Sequence, residues 1–183
     1  MEPPSRLEPV EIAAGRFQLR PPALSDAGDL LALALDPDVR LWSPFRRVGT
    51  EDEAREWCRT WSDWDGGRAP KFVVCDAAEG KLLGLVSLNS VDFRDQSAEL
   101  GYLTAPWARG QGVATAAVRS VAEWGFSTLG LVRIQLSHAV GNQGSCHVAE
   151  RAGFLQEGLA RSSHRYGDGE LHDEHLHARL AGD

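Results

Sequence analysis

A chain of 183 residues, 43% hydrophobic and 25% charged, has room for one well-buried core spanning 1–183 and is short for two. Its net charge of −7 argues against binding along nucleic-acid phosphates, which needs a basic surface, and favours cationic partners such as amines or basic peptides. The three cysteines, Cys58, Cys75 and Cys146, lack metal-ligand spacing and point to a reduced, cytoplasmic setting.

Residues 1–15 include Glu2, Pro3, Pro4 and Glu8 and read as a mobile segment, unlike a basic, apolar signal peptide. Residues 16–20 alternate as a strand until Pro21-Pro22. Ser25 is positioned to cap a helix carrying Leu30, Leu31, Leu33 and Leu35, which Asp36-Pro37 ends. That apolar run is far too short to span a bilayer, so no membrane partner is expected. Thr50 and Glu53 form a capping box, opening a second helix with Trp57, Trp61 and Trp64 at helical spacing. Core packing is the first reading of that stripe and an aromatic pocket the second.

Residues 71–76 and 81–91 read as paired strands, and 96–104 as a third, followed by Pro106. Beyond a Gly-rich loop, 113–129 is an Ala-rich helix with Val118, Val121 and Trp124 on one side and Gly130 past its end. Residues 131–140 alternate, with Val132, Ile134 and Leu136 on the apolar face; His138 shares it and reads as a hydrogen-bonded core or pocket residue. Gly141 to Gly144 break the strand, 145–152 form a short helix ended by Gly153, and strands 154–161 and 171–180 flank Gly167-Asp168-Gly169. The order β-α-α-β-β-β-α-β-α-β-β predicts a mixed α/β sheet with one βαβ crossover.

The loop of Arg109, Gly110, Gln111, Gly112, Val113 and Ala114 joins a strand to a helix start. Small residues there let backbone N–H groups approach a ligand, and the free amides and dipole of a helix N-terminus favour an anion. With the Arg109 guanidinium, such a loop suits a pyrophosphate; an ordinary strand-to-helix turn is the plainer reading. It has neither the P-loop sequence nor the dinucleotide fingerprint.

Arg109-x-x-Gly112-x-Ala114 resembles the [Gln/Arg]-x-x-Gly-x-[Gly/Ala] signature of the GNAT superfamily of N-acetyltransferases. Leu19-Arg20-Pro21 with Asp26, Ala98-Glu99-Leu100-Gly101-Tyr102, Asn142-x-x-Ser145, Ala152-Gly153-Phe154, Glu157-Gly158 and Asp168-Gly169 follow in the expected order and are similar to the RimJ/RimL type. The resemblance implies a mostly antiparallel central sheet, flanked by helices, whose splayed central strands open a V beside 98–104 and 131–140. It implies acetyl-CoA, or another short acyl-CoA, as co-substrate, backbone pairing of the pantetheine near Leu103 and Thr104, and a bulge near Gly101. It also implies direct attack by an amine, and homodimers occur in that subgroup.

Glu99 occupies the position of the general base in several such enzymes, where burial beside an apolar cofactor raises a carboxylate's base strength; a solvated strand residue is the alternative. Where many relatives have a tyrosine before the Gly-Phe pair, this chain has Ala149-Glu150-Arg151-Ala152-Gly153-Phe154. The RimL-like pattern offers Ser145 as acid toward the leaving sulfur, with Asn142 holding the pantetheine; Ser145 also reads as a helix N-cap. The acceptor site implied by the family falls on Trp42, Ser43, Phe45, Trp57, Trp61 and Tyr166. Cys146 beside His147 suggests a ping-pong nucleophile, but helix neighbours do not face each other, so core or dimer packing is expected. His172, His175 and His177 lack further ligands at metal spacing, so no metal is expected. Three functions follow: acetyltransferase for a protein N-terminal or peptide amine, acetyltransferase for a small-molecule amine, or non-catalytic acyl-CoA-binding module.

Overall fold

The β-branched and leucine-rich middle of the chain builds the centre of one sheet. In the computed structural model, which describes residues 7–64 and 69–183, Lys71–Asp76 (β3) and Leu82–Asp92 (β4) pair antiparallel, and Ser97–Thr104 (β5) continues on β4. Phe17–Arg20 (β2) adds to β3, and a short strand, Ile12–Ala14 (β1), pairs with β2. That strand lies inside the segment expected to be mobile, of which residues 1–6 fall outside the described part. Its three residues are too few to show a period.

On the other side, Arg133–Ala139 (β6) runs parallel to β5, and Leu171–Leu180 (β8) pairs with β6 and with Leu155–Arg165 (β7). The eight strands form a single sheet in the order β1-β2-β3-β4-β5-β6-β8-β7, antiparallel at every junction except β5–β6. Val113–Ser127 (α4) makes the crossover between those two strands. Its Val118, Val121 and Ala122 are fully buried. The fold is the mixed sheet with one βαβ crossover that the element order predicts, mostly antiparallel as the resemblance implies, though Val132, expected on the apolar face, precedes β6 and is exposed.

The first helical region differs from expectation. Ser25 caps nothing; Leu24–Asp26 is a 3-10 turn in which the Asp26 carboxylate accepts the Ala23 N–H at 2.7 Å and is gripped by both Arg20 nitrogens at 2.8 and 2.7 Å. The ion pair holds the Arg20 pKa above its ordinary value. Helix Ala27–Ala34 (α1) follows. Asp36-Pro37, expected as a stop, starts a new helix, Pro37–Trp42 (α2): Asp36 accepts the Val39 N–H at 3.1 Å, and proline suits a first helical turn. The Thr50/Glu53 capping box opens Glu51–Ser62 (α3) as expected, and the N–H groups of Gly49 and Thr50, both donating to the Glu53 carboxylate, draw its pKa down.

The tryptophan stripe divides. Trp64 lies beyond α3 in the core against Phe72 and Trp124, while Trp57 and Trp61 stay half-buried. No bulge occurs at Gly101, whose register with Ser87 is continuous; the irregularity lies between Asn89 and Asp92.

Candidate active site

β5 and β6 pair only through Ser97–Arg133, Ala98–Ile134 and Glu99–Gln135. Beyond Glu99, β5 stays with β4 through Gly101, Tyr102, Leu103 and Thr104, while β6 from Leu136 to Ala139 stays with β8. The two strands part, leaving one edge of β5 beside a gap: this is the V. The gap belongs to a cleft of about 1460 Å³, larger than the roughly 300–1,000 Å³ of ordinary small-ligand pockets. Every residue singled out from the sequence for catalysis, donor or acceptor lines it except Gln111, which faces solvent.

At one end lies the Gly-rich loop. Gly110 and Gly112 take φ of 75° and 78°, a region that penalises side chains, and a Cβ at either would point into open space. Val113, Ala114 and Thr115 open α4 and have no carbonyl one turn back for their N–H groups. An anion is therefore accommodated. Arg109 is not idle: its nitrogens bind Asp36 at 2.5 Å and Asp38 at 2.8 Å, tying the loop to α2. Gln111 donates to the Trp107 carbonyl at 3.1 Å and accepts from Arg16 at 3.2 Å, so it braces the loop.

Ser145 stands across the V. Asn142, not Ser145, caps Gln143–Arg151 (α5), accepting the Ser145 N–H at 3.2 Å. Ser145 lies one turn in, and its hydroxyl is free of capping. The Tyr102 phenol donates to both Ser145 Oγ and the Ser145 carbonyl at 3.0 Å. Burial, partly offset by that bond, pushes the Tyr102 pKa up to about 12, so it remains a donor at neutral pH. A tyrosine absent from the α5 motif is thus present from β5. Its letter is visible in the Glu99–Tyr102 run, but its partner is remote in sequence.

Glu99 faces the cleft and is exposed, not partly buried. Opposite it on β4, Asn89 accepts from Lys71 at 3.3 Å, and Lys71 Nζ lies 4.1 Å from the Trp61 ring centre. Burial lowers the Lys71 pKa.

The acceptor candidates form the remaining wall. Trp42 packs edge-on against Tyr166 at 5.5 Å, and Phe45 against Trp57 at 5.2 Å. Ser43 turns back to accept the Phe45 N–H at 3.1 Å. Sequence reasoning missed Glu174, which accepts from Tyr166 at 2.8 Å, Ser163 at 2.7 Å and Ser137 at 3.4 Å. Burial, then this carboxylate, pushes the Tyr166 pKa above its ordinary range. Strand alternation alone would have set Glu174 on the same face as His172 and Leu176. Cys146 and His147 make no dyad: the Cys146 thiol points to Glu150 at 3.7 Å.

The acetyltransferase (GNAT) domain model matches residues 16–155. YdaF of Bacillus subtilis strain 168, provisionally named a ribosomal N-acetyltransferase, is 38% identical over 156 residues, covering 81% of this chain and 82% of that protein. The spermidine N(1)-acetyltransferase of Vibrio cholerae is 36% identical over 88 residues, 48% of this chain and 50% of that one. Among solved structures, Mycobacterium smegmatis RimJ in complex with CoA-disulfide is similar at a TM-score of 0.81 and 27% identity, covering 100% of this chain and 91% of that one. The fold thus has its counterpart among solved acetyltransferases, and the chain belongs to the GNAT family as an N-acetyltransferase that uses acetyl-CoA.

Proposed function

We propose that the chain, working as one domain over 1–183, acetylates the N-terminal amine of a protein or peptide. The observation that carries this reading is the continuity of one open cleft from the Gly110–Gly112 loop, past Glu99 and Ser145, to the wall of Trp42, Tyr166 and Glu174. Bound acetyl-CoA supplies a thioester carbonyl open to attack by an amine. Arg109, exchanging Asp36 and Asp38 for pyrophosphate, and the amides from Gly110 to Ala114 hold the donor's anionic end. Leu103 and Thr104 offer the free edge of β5 to the pantetheine, and Asn142 keeps α5 capped beside it.

Glu99, alone or through a water, takes the proton that leaves the attacking amine. Ser145 Oγ already accepts from Tyr102, so its own O–H is free to donate to the departing sulfur. Tyr102 is a positioning residue for that hydroxyl. Trp42, Phe45, Trp61 and Tyr166 enclose the acceptor's side chain, and Glu174 attracts its positive charge.

A small polycationic amine is the second reading, favoured by the carboxylates of Glu99 and Glu174 on one cleft. An acceptor screen with acetyl-CoA, read by mass spectrometry, separates them. N-terminal peptides acetylated at kcat/KM well above that for spermidine support the first reading, and the reverse ranking supports the second. Thermal stabilisation by acetyl-CoA with no thiol released against any acceptor would leave only a binding module.

The reading includes a cytoplasmic location, in keeping with three free thiols. It also includes a homodimer, for which Leu155 and Leu176, exposed on one face of β7 and β8, provide apolar surface. Light scattering at micromolar concentration tests the dimer; a monomer mass there removes it.

A further inference from the structure

Below α5, the fold gathers four side chains that no step of acetyl transfer uses. β6 and β8 set His138 opposite His175 and Leu136 opposite His177, so the three imidazoles share one face of the sheet. α5 brings Cys146 over them. One ligand atom from each of His138, Cys146, His175 and His177 lies within 4.8 Å of all the others. Sequence spacing alone does not assemble this set, because its members come from β6, α5 and β8.

The protonation of the pair at its centre is constrained. His138 Nδ1 lies 2.9 Å from the Ala139 carbonyl and His177 Nδ1 lies 3.4 Å from that of Phe154. A carbonyl only accepts, so the 2.9 Å contact puts the hydrogen of a neutral His138 ring on Nδ1 and its lone pair on Nε2, and the longer His177 contact favours the same tautomer. Those two Nε2 atoms face each other at 3.2 Å, with both residues buried. Two lone pairs so placed favour a cation between them, a proton or a metal ion. Backbone carbonyls on the distal nitrogens are also the arrangement that orients metal-binding histidines. His175 adds the independent sign: its Nδ1 is buried without a hydrogen-bond partner among the described residues.

We propose that His138, Cys146, His175 and His177 bind a single divalent transition ion of borderline softness, zinc foremost. Three imidazole nitrogens and one sulfur fill a tetrahedral zinc shell and leave no open position, the mark of a structural site. Bonds of about 2.1 Å to nitrogen and 2.3 Å to sulfur put neighbouring ligand atoms roughly 3.3–3.7 Å apart. The Nε2 pair, at 3.2 Å, lies just inside that spacing, and the outlying atoms close on it by side-chain rotation. On binding, the Cys146 S–H proton passes to solvent as the metal–sulfur bond forms. The ion fastens the first turns of α5 to β6 and β8, one residue from Ser145.

The test uses the tag-free, full-length chain stripped of metal. Cobalt(II) added alone should saturate at one equivalent, with the intense visible bands of a tetrahedral site and a sulfur-to-cobalt charge-transfer band; zinc should displace it. Cys146→Ser should abolish the charge-transfer band, and His175→Ala should weaken binding at least about tenfold. His172→Ala, whose imidazole pairs with Asp168 outside the set, should leave binding unchanged. Zinc at a hundredfold excess over its Kd should raise the Tm by about 5–10 °C. His138→Ala removes a buried ring, so its folding is checked first by circular dichroism. No cobalt bands at one equivalent would overturn the proposal, leaving a proton shared by His138 and His177. Zinc affinity undiminished in folded Cys146→Ser and His175→Ala would overturn it equally.

Discussion

Replacing Tyr102 by phenylalanine removes one oxygen and keeps the ring. The phenol makes two contacts of 3.0 Å, to Ser145 Oγ and to the Ser145 carbonyl, shared by a single hydrogen. Losing that bond costs about 0.5–1.5 kcal/mol of stability. If the bond holds the Ser145 hydroxyl toward the reacting sulfur, a similar amount is lost from transition-state stabilisation, and ~1.4 kcal/mol corresponds to tenfold in rate. We expect kcat to fall about tenfold, with KM for acetyl-CoA changed less than about twofold, because only the orientation of the acid is lost. Thiol release, followed with a chromogenic disulfide, measures both constants. Ser145→Ala should lower kcat further, and the double variant should be no slower than Ser145→Ala alone, since Tyr102 acts through that hydroxyl. A double variant whose losses multiply would refute the reasoning and give Tyr102 an independent role.

The same tyrosine predicts an alkaline effect. Its pKa in the fold, about 12, exceeds the ordinary value of about 10, so its stabilising contribution is complete below the ordinary value and disappears as pH rises through the folded one. Tyr102→Phe should therefore flatten the fall of urea-measured stability between those limits. Arg109→Ala should weaken acetyl-CoA binding at least about tenfold by calorimetry, whereas Asp38→Asn, which frees one guanidinium nitrogen, should tighten it a few-fold; unchanged affinity in both would remove Arg109 from the donor site. Gly167→Ala would drive a Cβ into the Arg40 carbonyl oxygen, well inside contact distance. It should lower stability by about 1–3 kcal/mol and raise KM for the acceptor, because the hairpin then cannot seat Tyr166 against Trp42; an unaltered thermal melt would contradict the close approach.

Local patterns made much of this legible. The Thr50/Glu53 box, the β3–β5 strands and the glycines at 110 and 112 each carry their signal within a few residues. The sequence misplaces the cap of α5 by one turn because Asn142 and Ser145 are both good N-caps, and only backbone angles distinguish them. The start of α2 is ambiguous in sequence because Asp-Pro serves a stop as well as a start. Tyr102 and Ser145 meet across 43 positions, and Glu174 joins Ser137 across 37. Such contacts depend on sheet register and crossover, which no local period encodes. The histidine set escaped for the same reason: His175 and His177 are adjacent on one strand, but the ligands that complete them are not.

The short junction between β5 and β6 has a consequence for how the sheet breathes. Three registered pairs join its two halves, so main-chain groups of β5 beyond Glu99 that face the gap answer to solvent rather than to a neighbouring strand. Their amides should exchange deuterium quickly while those bonded to β4 stay protected. A ligand that pairs along this edge would slow the exchanging set alone. The enzyme then reports occupancy of its own seam, residue by residue, without any acceptor being present.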